Sequence, residues 1–426
     1  MLGATAGTFY AGVDESTKAG KTLKKRKAVP ARQPAWTDAD DDNNEHRRRD
    51  VNAGGSCAWA KLSWQRDDDK PTTKDDDDTD DDNDEASRLM TYTGDYLGES
   101  RSLPQNILSI KPCTNLNHDE PSSARLTSVQ FHPRAQVALT AGFDQKLSLF
   151  QVDGKSNKKV QSIFMQTFPI YKAKFSRFGE EVIMTSRLRS FYYYDMIGGS
   201  IVNVPKIKGL DEKQLTEFEV SPDGKFLVFL GQQGAMHLLS AVNKEHIGTL
   251  RMNGSVESVT FSADGTRMYS FGTDSHVYVW DMDTRMCVHR FADDGGFNGS
   301  AVAVSPDNRY LATGSQSGVI NIYDVNTAST SAAPKPLKTV MNLTTPCDVL
   351  KFNPTNEILC ASSKTVDSAL KLVHLPAFSV FQNFPELNST MKIPQCVDFS
   401  LHSGYFTVAN QKGQALLYRL RHYKQY

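Results

Sequence analysis

The chain has 426 residues, of which 23% are charged and 39% hydrophobic, with a formal net charge of -1. That length allows two ordinary domains or one large repeat architecture, each with a sizeable core. The charge is uneven: residues 1–100 hold 22 Asp and Glu against 15 Lys and Arg, whereas the remaining 326 hold 27 against 33. An excess of six positive charges on a body of that size does not by itself indicate nucleic acid.

The six cysteines (Cys57, Cys113, Cys287, Cys347, Cys360 and Cys396) are scattered and contain no C-x-x-C pair. This makes a poor disulfide framework and no zinc site, and fits a reducing compartment. The first residues, "MLGATAGTFYAGV", are only mildly apolar with no basic region ahead of them, and no run is long enough to span a membrane. The sequence predicts a soluble, intracellular protein.

Residues 1–102 read as a disordered acidic and basic extension, too poor in spaced apolar residues to offset the chain entropy of folding. Within it, Lys24, Lys25, Arg26 and Lys27 form a basic cluster that reads as a nuclear-import candidate or as a solvated stretch. The run "DDDDTDDDND" (75–84) lacks the Gly and terminal Glu of a calcium loop and reads as a self-repelling acidic tract.

From residue 103 the texture changes to short apolar runs separated by Gly, Pro, Asp and Asn. A strand end followed by a polar residue recurs at His132, Ser176, Ser221, Ser262, Ser305, Asn353 and Ser400, with spacings of 41 to 48 residues. Each copy continues into a second strand, then a third with an aromatic or large apolar end: "LSLFQVD", "FYYYD", "MHLLS", "VYVWD", "VINIYD", "LKLVHL" and "ALLYRL". The Trp280-Asp281 pair in the fourth of these is the only Trp-Asp in the chain. Seven copies at this period predict an all-β fold: a seven-bladed WD-repeat β-propeller over residues 103–426. The last copy supplies three strands, so residues 103–113 are expected to close its blade and remove an open sheet edge.

No nucleophile elbow, phosphate loop, dinucleotide fingerprint or metal-binding His pattern is present, so no catalytic residue, cofactor or metal is predicted. Asp144, Asp195, Asp274, Asp281 and Asp324 fall at turns and strand ends and read as acceptors for turn amides. The remaining candidate is a basic stretch with interleaved aromatics. It comprises Lys155, Lys158, Lys159, Lys172, Lys174, Arg177, Arg187 and Arg189, against two acids, and points to phosphate backbone or an acidic partner, or to a solvated rim.

The stretches "LTSVQFHPRAQVALTAGFDQKLSLFQVDGKSN", "PKPLKTVMNLTT", "LVHLPAFSVFQNFP" and "SGYFTVANQKGQALLYRLRHY" carry a further signal. With them the chain resembles the WD-repeat U3 small nucleolar RNA-associated protein 18 family of the small-subunit processome, over about residues 103–426. "PAWTDADDD" in the extension resembles that family's Pro-Ala-Trp-plus-acid pattern. The resemblance implies a nucleolar, non-catalytic scaffold for pre-rRNA processing to 18S rRNA. Its implied partners are other propeller proteins of the processome subcomplex, the U3 ribonucleoprotein and pre-rRNA. No membrane or small-molecule substrate is implied. It also implies a short motif that docks an exosome-associated RNA helicase, for which Phe9, Val13 and Asp14 in "FYAGVD" are the candidate. That segment departs from the family's spacing and lacks its Leu-Phe start. The alternative is a generic nuclear WD-repeat adaptor, for chromatin or as a ubiquitin-ligase substrate receptor. Ligase receptors often carry Trp-Asp-x-Arg, whereas here Trp280-Asp281 is followed by Met282-Asp283.

Overall fold

The computed structural model describes residues 103–207, 209–210, 212–386, 391–424 and 426. The basic cluster Lys24, Lys25, Arg26 and Lys27, the segment Phe9–Asp14 and the acidic tract therefore lie outside the described residues, as does the expectation of disorder there.

The described residues form seven four-stranded antiparallel sheets, which are the seven blades of a β-propeller. In each blade the strands follow one another from the axis outward, as expected of a meander in which each connection is a short turn. The inner strands are Leu126–Phe131, Lys172–Phe175, Phe218–Val220, Val256–Phe261, Gly299–Val304, Val349–Phe352 and Pro394–Phe399, numbered here as blades 1 to 7. Blade 7 takes its outer strand from the other end of the propeller sequence. Ile110–Pro112 pairs with Ala415–Leu420, with Ile110 opposite Leu420 and Pro112 opposite Tyr418. Chain ends joined in one sheet leave the ring without a free edge at that point.

The core is not one central mass. It consists of seven apolar clusters, one between each pair of neighbouring blades. This explains why the third strands read as nearly continuous apolar runs: they are covered on both faces, as in His276–Asp281, whose four central residues are all buried. Outer strands face water, and five of the six residues in Lys159–Phe164 are exposed.

Trp280 occupies the wedge between blades 3 and 4, 5% exposed, and its indole Nε1–H donates to Ser270 Oγ at 2.9 Å. By strand register its counterparts are Phe150, Tyr194, Leu239, Tyr323, Val373 and Tyr418, the large side chains near the ends of the other third strands. The first turns of the blades are set by side chains. Asp223 accepts from the Lys225 amide at 3.0 Å and from the Ser221 hydroxyl, while Gly224 takes φ +75°. One element was not legible in the all-β pattern, a single turn of helix at Val325–Thr330 in blade 5. It is started by Asp324, whose carboxylate accepts the Thr327 amide at 3.1 Å.

Candidate nucleic-acid interface

Inner strands run along the propeller axis, so equivalent positions in successive copies form rings around the central channel. Gln130, Lys174, Glu219, Lys351 and Asp398 each stand two residues before the turn residue of their copy. Their side chains tie one blade to the next. Gln130 Oε1 accepts the Phe175 amide at 2.8 Å, and Asp398 Oδ2 accepts the Phe131 amide at 2.8 Å. Lys174 Nζ lies 2.6 Å from Glu219 Oε2, and Lys351 Nζ lies 3.1 Å from Asp398 Oδ1. Two residues earlier, Lys172 Nζ lies 2.8 Å from Glu217 Oε2.

Burial opposes charge on the paired lysines and glutamates. At Lys174 burial, aided by the charges of Lys172 and Lys351, holds the ammonium below the usual lysine value despite Glu219. Elsewhere the partners outweigh it. Burial pulls the Lys172 ammonium down, but Glu217 and Glu219 outweigh it and hold its pKa above the usual lysine value. Lys351 is raised by the charge of Asp398. Burial would raise Glu217 and Glu219, yet Lys172 and Lys174 hold both carboxylates below their ordinary value. Three lysines and three carboxylates are thus paired along the channel, while Glu257 on the inner strand of blade 4 is raised by burial and by the charges of Glu217 and Asp348.

The eight basic residues singled out by the sequence do not converge on one surface. Lys172 and Lys174 are consumed by the channel ion pairs, each with a side chain 25% exposed. Lys159 pairs with Glu120 at 2.9 Å, and Lys146 holds the other oxygen of that carboxylate at 2.7 Å. Hydrogen bonds from these two lysines lower Glu120 to about 2. Lys155, Lys158 and Arg177 are exposed at the end of the propeller that carries the turns after the first and third strands. Arg187 and Arg189 are exposed at the opposite end, in the turn between Glu181–Thr185 and Phe191–Asp195.

Each end of blades 1 and 2 carries an arginine–aromatic assembly. At the first, the guanidinium carbons of Arg134 and Arg177 lie 4.4 and 4.9 Å from the centre of the exposed Phe178 ring. Arg177 there also donates to the Asp223 carbonyl at 2.7 Å. At the second, four side chains from four segments form a row. Arg125 lies 5.7 Å from the Phe143 ring centre, Phe143 lies 4.8 Å from Tyr171, and Arg187 lies 4.9 Å from Tyr171. Such contacts combine ring–ring attraction with cation–π attraction. Sequence reading named Arg187 but missed Arg125, Phe143 and Tyr171. Their shared signal is position, since all three stand in turns or loops at the same end of blades 1 and 2.

The turn carboxylates serve the backbone. Asp144, Asp195, Asp274, Asp281 and Asp324 each accept at least one turn amide, at 2.9 to 3.3 Å. Among the described residues no group of three or more His, Cys, Asp or Glu could hold a metal ion. No helix among them is long and apolar enough to cross a membrane.

The family described as WD domain, G-beta repeat matches residues 244–281 and 287–324, the stretches ending in Trp280-Asp281 and Tyr323-Asp324. A mouse protein named U3 small nucleolar RNA-associated protein 18 homolog is 47% identical over 340 residues, covering 79% of this chain and 62% of its own length. The human protein of that name is 46% identical over 340 residues, covering 79% of this chain and 61% of its own. A Caenorhabditis elegans homolog of the same name is 26% identical over 446 residues, with 95% of this chain and all of that protein covered. The chain thus spans about three fifths of the length of its mouse and human relatives. These similarities, carried on a seven-bladed ring, show a WD-repeat propeller that closely resembles the U3 small nucleolar RNA-associated protein 18 family across most of its length.

Proposed function

We propose that this protein is a non-catalytic scaffold of the small-subunit processome, the U3-containing particle in which pre-rRNA is processed to 18S rRNA. The observation that carries this reading is 46–47% identity across the propeller to proteins named for their association with U3 small nucleolar RNA. The geometry is compatible with a scaffold: three ion pairs tie neighbouring blades along the channel, and five turn carboxylates serve as backbone acceptors. In this reading the protein works in the nucleolus, with Lys24, Lys25, Arg26 and Lys27 serving nuclear import. Its partners are other propeller proteins of the same subcomplex, the U3 ribonucleoprotein and pre-rRNA. The segment containing Phe9, Val13 and Asp14 recruits an exosome-associated RNA helicase.

Depletion tests the reading. Cells lacking the protein should accumulate unprocessed precursor and lose 18S rRNA while large-subunit rRNA is maintained. Equal loss of both rRNAs, or of neither, contradicts it. Import is tested separately: substituting the four basic residues with Ala should move a tagged chain out of the nucleus.

A further inference from the structure

We propose that the row Arg125–Phe143–Tyr171–Arg187 is a stacking platform for single-stranded RNA, with bases continuing the row over the exposed arginine planes. The inference rests on the reading of the chain as part of an RNA-containing particle, and it names the surface that RNA would meet.

The row is built from four separate segments. Arg125 directly precedes the inner strand of blade 1, and Phe143 lies in the turn between Val137–Gly142 and Lys146–Gln151. Tyr171 directly precedes the inner strand of blade 2, and Arg187 stands in that blade's turn after Glu181–Thr185. The Phe143 amide donates to the Arg125 carbonyl at 3.1 Å, and the Tyr171 amide donates to the Thr185 carbonyl at 2.8 Å, so the row is held by backbone. A planar cation thus covers each end of a tilted pair of rings, with successive separations of 5.7, 4.8 and 4.9 Å.

Both terminal arginines are exposed, and Arg189 beside them is exposed too. Among the described residues none of the three forms an ion pair or donates to a protein acceptor, so their planar donors face water. The nearby carboxylates are already occupied. Asp144 accepts from the Ser122 hydroxyl at 2.6 Å and the Lys146 amide at 3.3 Å, and Glu120 is shared by two lysines. The Asp144 carboxylate, bonded here to neutral donors, offsets at most one of the three arginine charges, so this corner keeps an excess of positive charge. Guanidinium groups that are flat, exposed and backed by aromatic rings suit a polyanion with π-faces. The assembly at the opposite end is less suited, because Arg177 is already engaged with the Asp223 carbonyl. An acidic peptide would meet the same charge and the same forked donors but has no base rings to lay on the guanidinium faces, and that difference separates the two ligands.

The test uses the full chain and a fluorescent twelve-nucleotide RNA of mixed sequence, with binding read by anisotropy. Arg125→Lys with Arg187→Lys keeps both charges and removes both planes. The expected result is binding by the wild type and about tenfold weaker binding by the double variant, in line with the loss of one base stack. Phe143→Leu, with both arginines present, should weaken binding in the same direction. Arg187→Lys alone, on an exposed turn, gives the same reading if the double variant does not fold. Undiminished binding by the lysine variants overturns the platform, as does displacement of the RNA by a glutamate-rich peptide at equal or lower concentration. A wild-type chain that recovers U3 RNA from cells but does not bind the oligonucleotide also overturns it, while leaving the processome reading standing.

Discussion

Removing the Asp398 carboxylate should loosen the ring where the propeller closes, and the structure sets the size of the effect. Asp398 on blade 7 reaches Lys351 on blade 6 at 3.1 Å and the Phe131 amide on blade 1 at 2.8 Å, so one side chain links three blades. Its own side chain is 7% exposed, whereas that of Lys351 is 45% exposed. In Asp398→Ala the Phe131 N–H is left buried without an acceptor, which costs about 1–3 kcal/mol. Water can replace much of the lost partner of Lys351, so that part adds about 0–1 kcal/mol. At about 2 °C per kcal/mol for a domain of this size, the total lowers the melting temperature by about 2–8 °C. Asp398→Asn keeps an oxygen for the Phe131 amide and loses only the charge, so it should cost about 0–1 kcal/mol. Differential scanning calorimetry of the three proteins measures the contrast. The reasoning fails if alanine and asparagine are equally costly. It also fails if asparagine alone costs about 3–5 kcal/mol, the penalty for orphaning a fully desolvated charge, since Lys351 would then behave as buried.

Trp280→Phe removes the donor to Ser270 Oγ in a fully buried site, and urea unfolding should show a loss of about 1–3 kcal/mol. Acid should act through Glu217 and Glu219, whose folded pKa values are depressed by the channel lysines despite the opposing effect of burial. Their stabilisation is present above the unfolded glutamate value of about 4.3 and is lost as pH falls through the lower folded values. Glu217→Gln with Glu219→Gln should therefore flatten the melting temperature against pH below about pH 4.3, and an unchanged slope would contradict this. Burial raises the thiols of Cys347, Cys360 and Cys287, but Cys347 and Cys360 are fully buried whereas Cys287 is exposed to reagent. Iodoacetamide applied to the native protein at pH 8 should modify Cys287 and spare those two until denaturant is added, with the sites read by mass spectrometry.

The architecture was legible because each blade repeats one physical problem. A third strand wedged between two blades must be apolar on both faces and end in a large side chain, which is why "VYVWD" and "FYYYD" align without sharing their aromatic residue. The candidate site was much less legible. Arg177 and Arg187 are ten positions apart in sequence, but the strand Glu181–Thr185 between them carries the chain from one end of the propeller to the other. At about 3.3 Å per residue those five residues alone span roughly 17 Å. A basic run that crosses a blade is thus divided between two ends and the channel. The ion pairs did leave a trace: Lys172 and Glu217, and likewise Lys174 and Glu219, are separated by 45 residues, which is the spacing of their two copies. Opposite charges at one repeat's distance on inner strands mark blade-to-blade contacts. By contrast, nothing in the spacing of Arg125, Phe143, Tyr171 and Arg187 shows that they stack, because the turns that carry them follow no fixed length.

The central claim, that this propeller belongs to a U3-containing pre-ribosomal particle, is tested most directly by recovering the tagged chain from cells and measuring the RNA that comes with it. The account predicts strong enrichment of U3 small nucleolar RNA over other small nucleolar RNAs, in fractions that sediment as large pre-ribosomal particles. Recovery of the chain in small complexes, with U3 RNA at background level, would contradict it.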